Sequence, residues 1–392
     1  LDLNGKTIHS TGQYESALGI SSGATVTIRG DGTVTSEHGN GLSVGGTATL
    51  EGGNFISGAA DYGGVNVRGK LIVTGENVVM RNTGNGNGLS VNSGTGATAQ
   101  LSAGTCEGGA AAVKIYGSTG TLAGLLNQAG TSRVAYYKDN TTLVTEGLDG
   151  QTLPSGSYTV KPCTHIFGSS TTCPACGGEA VARVTIGDAV THYGDLSSAW
   201  AAVQGQTAEL FLLKSVDAAG VGDYGYLGLG SGSVTLGMAD GVVLSGSNSV
   251  VIRLIGGELT LNSGTIHNGS NNGAGLGVVG GTLRVRGGTV NGKFGIQAFN
   301  EGQIEITGGT FTGTGSSGIG LHRDKGTVKI SGGQFSGGRE AVYNSNGTLA
   351  DLLAEGYAFK QNGNWVTDTS GKQLTGTVTV EPTPVKITAQ PV

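Results

Sequence analysis

The chain has little charge, little proline and few aromatic residues. Charged residues make up 12 % and aromatic residues 5 % of its 392 residues, with 6 prolines and 4 cysteines. The net charge of −5 argues against a nucleic-acid partner, which requires a basic surface. No apolar run approaches the roughly 18 residues of a membrane-spanning helix, so membrane insertion is not expected. Disorder is disfavoured as well, because 36 % of the residues are hydrophobic and the net charge is small.

Glycine is what the sequence has in excess, at 77 residues. Collagen would place glycine at every third position, and that spacing is absent. A composition rich in glycine, threonine and valine favours many short strands joined by tight turns.

The heptapeptide Gly120-Thr-Leu-Ala-Gly-Leu-Leu126 recurs as Gly347-Thr-Leu-Ala-Asp-Leu-Leu353. Each copy ends a series of glycine-marked units that are spaced roughly 21 to 27 residues apart, a period typical of stacked solenoid coils. The sequence therefore predicts one solenoid module used twice, with the same cap closing each copy.

Period-2 alternation predicts the strands of each coil, with apolar columns facing inward. The predicted columns of the second copy are Leu259/Leu283/Ile304/Val328, Leu261/Val285/Ile306/Ile330 and Ile266/Val290/Phe311/Phe335. Its third strands are predicted at Gly275–Val278, Gly295–Ala298 and Gly318–Leu321. In the first copy the predicted columns are Phe55/Val78/Cys106 and the pairs Leu42/Val44, Val65/Val67, Leu89/Val91 and Val113/Ile115. Three short strands per coil describe an all-β fold of two tandem parallel β-helices.

A solenoid must cover its open ends, and cap segments are predicted accordingly. Each recurring heptapeptide is predicted to be a short capping helix, followed by an aromatic hairpin. The hairpin aromatics expected in the cap cores are Tyr136, Tyr137, Tyr357, Phe359 and Trp365. The second copy has a front cap with a helix over 196–203, whose N-cap is Asp195 or Ser197. The first copy lacks a front cap, so the chain is expected to be a fragment of a larger protein.

The predicted organisation has four parts. Residues 1–162 form the first β-helix module, 163–180 a zinc-knuckle-like linker, 181–380 the second module with both caps, and 381–392 an extended linker to a further domain.

Three of the four cysteines lie close together in the sequence with one histidine. Cys163, His165, Cys173 and Cys176 form two short chelating pairs with a glycine after the second, which suits structural tetrahedral zinc. A disulfide is the competing interpretation, although three cysteines cannot all pair within the chain. Cys106 belongs to an apolar column and is predicted to be core. A calcium site is not indicated.

The densest polar segment is His322-Arg323-Asp324-Lys325 at a predicted coil corner, with Phe299-Asn300-Glu301 one coil below. Phe299, Asn300, Glu301, His322, Arg323 and Asp324 are the candidate ligand-binding residues, for a sugar or an anionic group. A solvated turn with local ion pairs remains the alternative. A glycosidase needs two carboxyl groups within roughly 5 to 9.5 Å. No pair of carboxylates falls in register, so no catalytic residue is predicted.

Three stretches resemble the glycine-rich repeat regions of large surface proteins of Gram-positive bacteria: Leu1–Ile8, the front cap Ile186–Lys214, and the Cys-x-His…Cys-Pro-x-Cys-Gly knuckle. Those repeats look like the pectate-lyase-type right-handed β-helix. The resemblance implies secretion, cell-wall attachment and a role as an adhesin or stalk. With no paired carboxylates in register, the expected function is non-catalytic. The expected partner is a host or environmental glycan or surface protein, and a monomer is expected. The alternative is a carbohydrate-active β-helix enzyme, a polysaccharide lyase or glycoside hydrolase, with carboxylates on an outer coil face.

Overall fold

The structure is a computed structural model that describes residues 1–129, 133–221 and 225–383. Within these residues the chain is all-β and forms a parallel β-solenoid of about 14 turns, which confirms the predicted fold class. The internal contacts divide the chain into two compact units. Unit 1 comprises Leu1–Ile166 and Thr172–Gly178, and unit 2 comprises Phe167–Thr171 and Glu179–Val392. From residue 384 onward, the predicted linker 381–392 lies outside the described residues.

Unit 1 is built from short strands of three to six residues, until a long strand ends the stack. Its strands are β1 (Thr7–Ser10), β2 (Leu18–Ile20), β3 (Thr25–Ile28), β4 (Thr33–Ser36), β5 (Leu42–Val44), β6 (Thr47–Leu50), β7 (Asn54–Ser57), β8 (Gly63–Val67), β9 (Lys70–Val73), β10 (Val79–Asn82), β11 (Asn87–Asn92), β12 (Thr98–Leu101), β13 (Gly104–Tyr116), β14 (Val134–Lys138), β15 (Thr142–Leu143) and β16 (Thr152–Pro162). The 3₁₀ helix Ser93–Thr95 and the helix α1 (Leu122–Leu125) complete the unit.

The strands of unit 1 pair in parallel with the strands three places away in the chain, as expected when three strands make one coil. One sheet has the order β12-β9-β6-β3, and the other runs β1-β4-β7-β10-β13-β11-β8-β5-β2. The second sheet is continuous because β13 passes without a break from the second strand position of the last coil to the third. Strands β14, β15 and β16 then close the unit, with β16 antiparallel to β13.

Unit 2 repeats this plan with a front cap added. Its strands are β17 (Ala182–Ile186), β18 (Ala189–Tyr193), β19 (Thr207–Leu212), β20 (Val216–Asp217), β21 (Leu227–Leu229), β22 (Ser233–Met238), β23 (Val243–Gly246), β24 (Val250–Leu254), β25 (Glu258–Leu261), β26 (Thr265–Asn268), β27 (Ala274–Val278), β28 (Thr282–Val285), β29 (Thr289–Gly292), β30 (Phe294–Ala298), β31 (Gln303–Ile306), β32 (Thr310–Gly313), β33 (Ile319–Arg323), β34 (Thr327–Ile330), β35 (Gln334–Asn344), β36 (Tyr357–Gln361), β37 (Asn364–Trp365) and β38 (Gln373–Pro382). The helices are α2 (Leu196–Val203) and the 3₁₀ helices Ala218–Gly220 and Ala350–Leu352.

The sheets of unit 2 have the orders β18-β17-β19-β22-β25-β28-β31-β34 and β20-β23-β26-β29-β32-β35-β33-β30-β27-β24-β21. In unit 2, β35 is the long strand that corresponds to β13 of unit 1. Strand β38 pairs antiparallel with β35, as β16 does with β13. The last coil and its cap therefore have the same construction in both units.

The predicted inward columns of unit 2 are buried and in register. Leu259, Leu283, Ile304 and Val328 lie side by side on successive coils, as do Ile266, Val290, Phe311 and Phe335. Each of these side chains is at most 1 % exposed. Stacked columns of this kind supply the apolar burial that stabilises each coil against the next.

Glycine is required where the second and third strands of a coil approach each other. A Cβ on Gly64 of β8 would lie 2.7 Å from the oxygen of Phe55 in β7, and one on Gly320 of β33 would lie 3.0 Å from the oxygen of Phe311 in β32. Because these neighbours are backbone atoms in the parallel ladder, they have little freedom to move away. The close approach of strands explains part of the glycine content.

The recurring heptapeptide caps each unit as predicted. Thr121 accepts a hydrogen bond from the nitrogen of Gly124 and begins α1, and Leu126 continues the sheet by a bridge to Leu101. In unit 2 the equivalent segment is a 3₁₀ helix, and Leu353 forms the matching bridge to Ile330. Asp195 is the N-cap of α2, since its Oδ1 accepts from the nitrogen of Ser198 at 2.7 Å.

Three details of the predicted packing are wrong. Met80, not Val78, pairs with Phe55 and Cys106 in the column of second strands. The third strand predicted at Gly318–Leu321 is shifted in register. In the structure β33 spans Ile319–Arg323, and Leu321 pairs with Ile296 where the prediction had placed Ile319. Such a two-residue shift keeps the same side chains facing inward, so alternation does not detect it.

Trp365 is the third exception, since its ring is 37 % exposed whereas Tyr136 and Phe359 are fully buried in their caps. The Lys360 ammonium lies 5.0 Å from the Trp365 ring centroid. Trp365 therefore belongs to the surface of its cap and not to the cap core.

An outward column of charged side chains on unit 2 forms an ion ladder only in part. Arg284, Glu305 and Lys329 do lie in register, and Arg284 Nε is 3.0 Å from a Glu305 oxygen. Arg284 also pairs with Glu258, whereas Lys329 donates to the backbone oxygens of Asp351 and Leu353. These groups are solvent-exposed, so the pairs contribute little to stability.

Candidate functional sites: a cysteine–histidine cluster and a cleft on unit 2

The cysteine–histidine cluster lies at the end of the unit 1 cap. Cys163 directly follows β16, and its nitrogen donates to the oxygen of Arg133 at 2.8 Å. Cys173 and Cys176 belong to a tight turn in which Gly177 nitrogen donates to Cys173 oxygen and Cys173 nitrogen donates to Gly178 oxygen. The cap strand and the turn are thus held by backbone hydrogen bonds, independently of any ligand.

The four predicted metal ligands come together in space. One ligand atom from each of Cys163, His165, Cys173 and Cys176 lies within 4.8 Å of all the others, so the group is able to hold a metal ion. The Cys163 and Cys173 sulfurs are 3.8 Å apart, and Cys176 Sγ is 3.2 Å from His165 Nδ1. Metal–sulfur bonds of about 2.3 Å at tetrahedral angles place two sulfurs ~3.8 Å apart. The donor set and its spacing therefore fit one tetrahedral ion.

Glycine after the second chelating pair has a steric role. A Cβ on Gly178 would lie 2.8 Å from Cε1 of His165 and 3.2 Å from Cys176 Sγ. The imidazole therefore packs directly over the Gly178 backbone. His165 itself has a left-handed backbone conformation, with φ of 47°, which aims its ring back towards the cysteines.

Backbone N–H groups point at the sulfurs of the cluster. The nitrogens of His165 and Gly178 lie 3.4 Å from the sulfurs of Cys163 and Cys176, respectively. Burial raises the pKa of the Cys163 and Cys176 thiols. Burial also acts on Cys173, but hydrogen bonds from the backbone of Ala175, Ile166 and Cys176 outweigh it and lower its pKa. Metal ligation requires thiolates, and these N–H groups stabilise that form.

The sulfurs of the cluster are not bonded to one another. A disulfide has an S–S distance near 2.05 Å, whereas the Cys163 and Cys173 sulfurs are 3.8 Å apart. Cys106 is a free thiol in the core, fully buried as predicted, and burial raises its pKa to about 12.

The second site is a pair of clefts on unit 2, at the turns that follow the third strands. The larger cleft has a volume of about 760 Å³ and crosses several successive coils. It is lined by Ile255, Val279, Gly280, Asn300, Glu301, Lys325, Gly326, Thr327 and Asn346. The smaller cleft, of about 340 Å³, shares Val279 and Asn300 with the larger one and adds Ser249, Val250, Arg253 and Phe299.

The clefts combine exposed apolar surface with available polar groups. Ile255 is 52 % exposed and Phe299 is 36 % exposed. Within the described residues, the side chains of Asn300, Glu301 and Lys325 make no hydrogen bond or ion pair. Apolar platforms beside convergent polar groups are typical of binding clefts.

The six predicted ligand residues divide into two groups. Phe299, Asn300 and Glu301 line the clefts. Arg323 is committed to the fold, because it donates to the oxygens of Gly326 and Asn346 and to Asn344 Oδ1. Its guanidinium therefore holds two neighbouring turns together.

His322 and Asp324 are not among the described residues that line the two clefts. The His322 ring stacks between Phe294 and Tyr343, at centroid distances of 5.4 and 5.2 Å. Asp324 accepts hydrogen bonds from Gln297 Nε2 and from Ser345 Oγ. His322 thus lies on strand β33 and not at the predicted coil corner.

The sequence analysis missed Ile255 and Asn346, and it left Lys325 out of the ligand candidates although Lys325 belongs to the polar segment named there. Ile255, Lys325 and Asn346 line the larger cleft, each at the turn after the third strand of a different coil. Each is followed directly by a glycine, namely Gly256, Gly326 and Gly347. The recurring glycine after the third strand was the signal that aligns these turns. It was hidden by the misplaced third strand of the β33 coil.

No known family model, curated protein or solved structure matches this chain. Among the described residues, no helix has the length and apolar character needed to cross a membrane.

Proposed function

We propose that the protein is a non-catalytic, extracellular β-solenoid that binds a glycan along the flank of unit 2. The observation that carries this proposal is the pair of clefts at successive turns, with Phe299 exposed beside Asn300 and Glu301. Parallel strands of adjacent coils are spaced by about 4.8 Å. Polar groups at that spacing suit the hydroxyl groups of an extended sugar chain, and Phe299 offers an apolar surface to a sugar ring.

The larger cleft supports binding better than hydrolysis. Of its lining residues within the described chain, Glu301 alone carries a carboxylate. Acid–base hydrolysis of a glycosidic bond uses a pair of carboxyl groups. The glycan is therefore proposed to leave the cleft chemically unchanged.

Affinity electrophoresis of the purified protein in gels that contain pectin, xylan or mucin tests the binding. We expect retardation in at least one polysaccharide and, for Phe299→Ala, an affinity about tenfold lower, which corresponds to ~1.4 kcal/mol. Trp365→Ala is the matched control, since Trp365 is an aromatic residue of equal exposure in the unit 2 cap. Unretarded migration in all gels, or equal loss in both variants, would overturn the proposal.

The extracellular placement rests on the resemblance to bacterial surface repeats. Protease treatment of intact source cells tests it, because a surface protein is cleaved while the cells remain closed. Survival of the protein in intact cells would count against it.

We further propose that zinc is the ion held by Cys163, His165, Cys173 and Cys176. Three thiolates and one imidazole are borderline-soft ligands that suit zinc, and four protein ligands leave no open position for a substrate. The ion would therefore be structural. It would tie the end of β16 to the turn at residues 173–178, adding to the backbone hydrogen bonds that shape each of them.

Elemental analysis of the protein after exhaustive dialysis tests the zinc site. We expect one zinc per chain, lost in Cys173→Ser and retained in Cys106→Ser, because Cys106 lies in the core away from the cluster. Cobalt substitution should give the intense visible bands of a tetrahedral thiolate site. Absence of metal together with oxidised thiols would establish the disulfide alternative instead.

A further inference from the structure

His322 has an unusual environment for a side chain on the outer side of a coil. Its side chain is only 14 % exposed, since Phe294 and Tyr343 cover the two faces of the ring. Within the described residues neither ring nitrogen has a hydrogen-bond partner. Nε2 does lie 2.9 Å from Asp324 Oδ1, but the contact lacks hydrogen-bond geometry. A neutral, tightly packed imidazole thus lies beside a carboxylate without a hydrogen bond between them.

Charged and titratable groups surround this ring. Asp324, Arg339 and Glu340 act on it electrostatically, and the phenol ring of Tyr343 packs on it. Lys293 lies over the Phe294 ring that stacks on His322, and Arg323, next to His322 in β33, donates to the oxygen of Gly326. Burial is the largest influence and lowers the pKa of His322, while Asp324 and Glu340 act in the opposite direction and Arg339 adds to the lowering. Below its lowered pKa, the ring gains a charge amid groups that are already arranged around it.

Asp324 connects the ring to the larger cleft. Its Oδ2 accepts from Gln297 Nε2 at 3.2 Å and its Oδ1 accepts from Ser345 Oγ at 3.3 Å. Asp324 directly precedes Lys325 and Ser345 directly precedes Asn346, and both of these following residues line the cleft. The Asp324 carboxylate is therefore one of the groups that join the turns of the proposed binding surface, together with Arg323, whose oxygen is 3.0 Å from Ser345 Oγ.

The equivalent coil of unit 1 shows that the fold does not require this cluster. Leu89 pairs with Val113 there as Leu321 pairs with Val342 in unit 2, so Ser90 occupies the position of His322. In the same alignment of the two units, Lys114 occupies the position of Tyr343 and Gly63 that of Phe294. Ala110 and Ala111 occupy the positions of Arg339 and Glu340. Unit 1 makes the same last coil without a buried imidazole or a buried carboxylate.

We propose that His322 and Asp324 are positioning residues that make the larger cleft sensitive to pH. Protonation gives Nε2 a hydrogen to donate to Asp324 Oδ1, in a charge-assisted bond stronger than the one from Ser345 Oγ. As Oδ1 turns towards the imidazolium, its bond from Ser345 Oγ weakens, and the Ser345 hydroxyl is left to donate to the oxygen of Arg323, 3.0 Å away. The turns at 324–326 and 345–347 lose one of the contacts between them, and the cleft binds its glycan less tightly. Only the weaker glycan binding rests on the proposed function; the change in the two turns does not.

Hydrogen–deuterium exchange of the intact, ligand-free protein at pH 7.5 and 5.5 tests the device without a glycan. After correction for intrinsic exchange rates, we expect peptides that cover 324–327 and 344–347 to exchange at least fivefold faster at pH 5.5. His322→Phe keeps a ring in the stack but does not titrate, so its exchange should be equal at both pH values. His267→Phe is the matched control: His267 is exposed on the same unit, and its loss should leave the pH response intact.

Equal protection of these turns at both pH values in the wild type would overturn the proposal, as would an undiminished response in His322→Phe. Asp324→Asn gives a second readout, because it keeps the amide oxygen for Ser345 but removes the charge that attracts the imidazolium. Its response should be at most half that of the wild type, and a full response would refute the role of Asp324.

The two proposals fail separately. A pH response in the exchange experiment with no retardation in any polysaccharide gel would refute glycan binding and support the pH-sensitive role of His322 and Asp324. Equal retardation at pH 7.5 and 5.5, together with exchange rates that do not depend on pH, would support glycan binding and refute the pH-sensitive role of His322 and Asp324.

Discussion

Replacing Phe311 with alanine should destabilise unit 2 strongly. The ring is fully buried in the column of second strands and stacks on Phe335, with centroids 5.0 Å apart and an angle of 16° between the planes. Glycines cover much of the remaining ring surface, since Cβ atoms on Gly309 and Gly333 would lie 3.1 and 3.3 Å from it. Glycine has no side chain to move into the space, and the ladder holds its backbone.

The cavity left by the ring therefore stays largely open. Phenylalanine-to-alanine changes in cores cost about 3–5 kcal/mol, and the poor ability of this site to collapse places the expected loss near ~4 kcal/mol. Loss of the ring stack is included in that figure, at about 0.5–1.5 kcal/mol. Because coils depend on their neighbours, the loss should be felt by the whole unit and not only by one coil.

Urea unfolding followed by tryptophan fluorescence measures this loss in unit 2 alone. The chain has two tryptophans, Trp200 and Trp365, and both lie in unit 2. Phe299→Ala provides the control, because an exposed phenylalanine should change the free energy of unfolding by less than about 0.5 kcal/mol. A loss below about 1 kcal/mol for Phe311→Ala would refute the reasoning, since it would mean that the glycine-lined column relaxes freely.

Four further outcomes are expected. Gly320→Ala should lower the urea midpoint clearly, because its Cβ would meet backbone, whereas Gly230→Ala, with open space around it, should leave the midpoint unchanged. Cys106 should resist thiol reagents in the folded protein and react only on unfolding, since burial raises its pKa to about 12. Asp195→Ala should cost ~1 kcal/mol by loss of the helix N-cap, as measured by urea unfolding. The pKa of His322 is lowered from 6.5, so the unfolded chain takes up its proton first, and the stability of unit 2 should fall as pH drops below 6.5; His322→Phe should reduce that fall.

Alternation in the sequence was sufficient to predict which side chains form the core. Leu283, Ile304 and Phe311 face inward because every second residue of a strand must, and no other assignment buries them. Alternation does not determine register to better than two residues, which is why the third strand at β33 was misplaced. The same error put His322 in a turn and concealed its stacking on Phe294 and Tyr343.

The metal ligands could be predicted from spacing because they lie in a short segment. Cys163 and His165 form one close pair and Cys173 and Cys176 another, and this spacing is typical of zinc ligands. The buried carboxylate of Glu340 had no such signal. It is 3 % exposed because β35 bulges between Gly337 and Val342 where it meets β38, and that irregularity depends on a partner strand far along the chain.

Residues that determine folding and residues available for binding are largely distinct on unit 2. The inward residues and the glycines at close approaches determine stability, whereas Asn300, Glu301 and Lys325 lie on turns, and within the described residues their side chains make no hydrogen bond or ion pair. Substitution of such residues changes stability by less than about 0.5 kcal/mol. A loss of binding in Asn300→Ala is then a lost contact with the ligand. His322 is different, because its ring is packed and Asp324 beside it accepts hydrogen bonds from Gln297 and from Ser345 of the neighbouring turn. Changes there act on the shape of the cleft, and only their dependence on pH distinguishes positioning from packing.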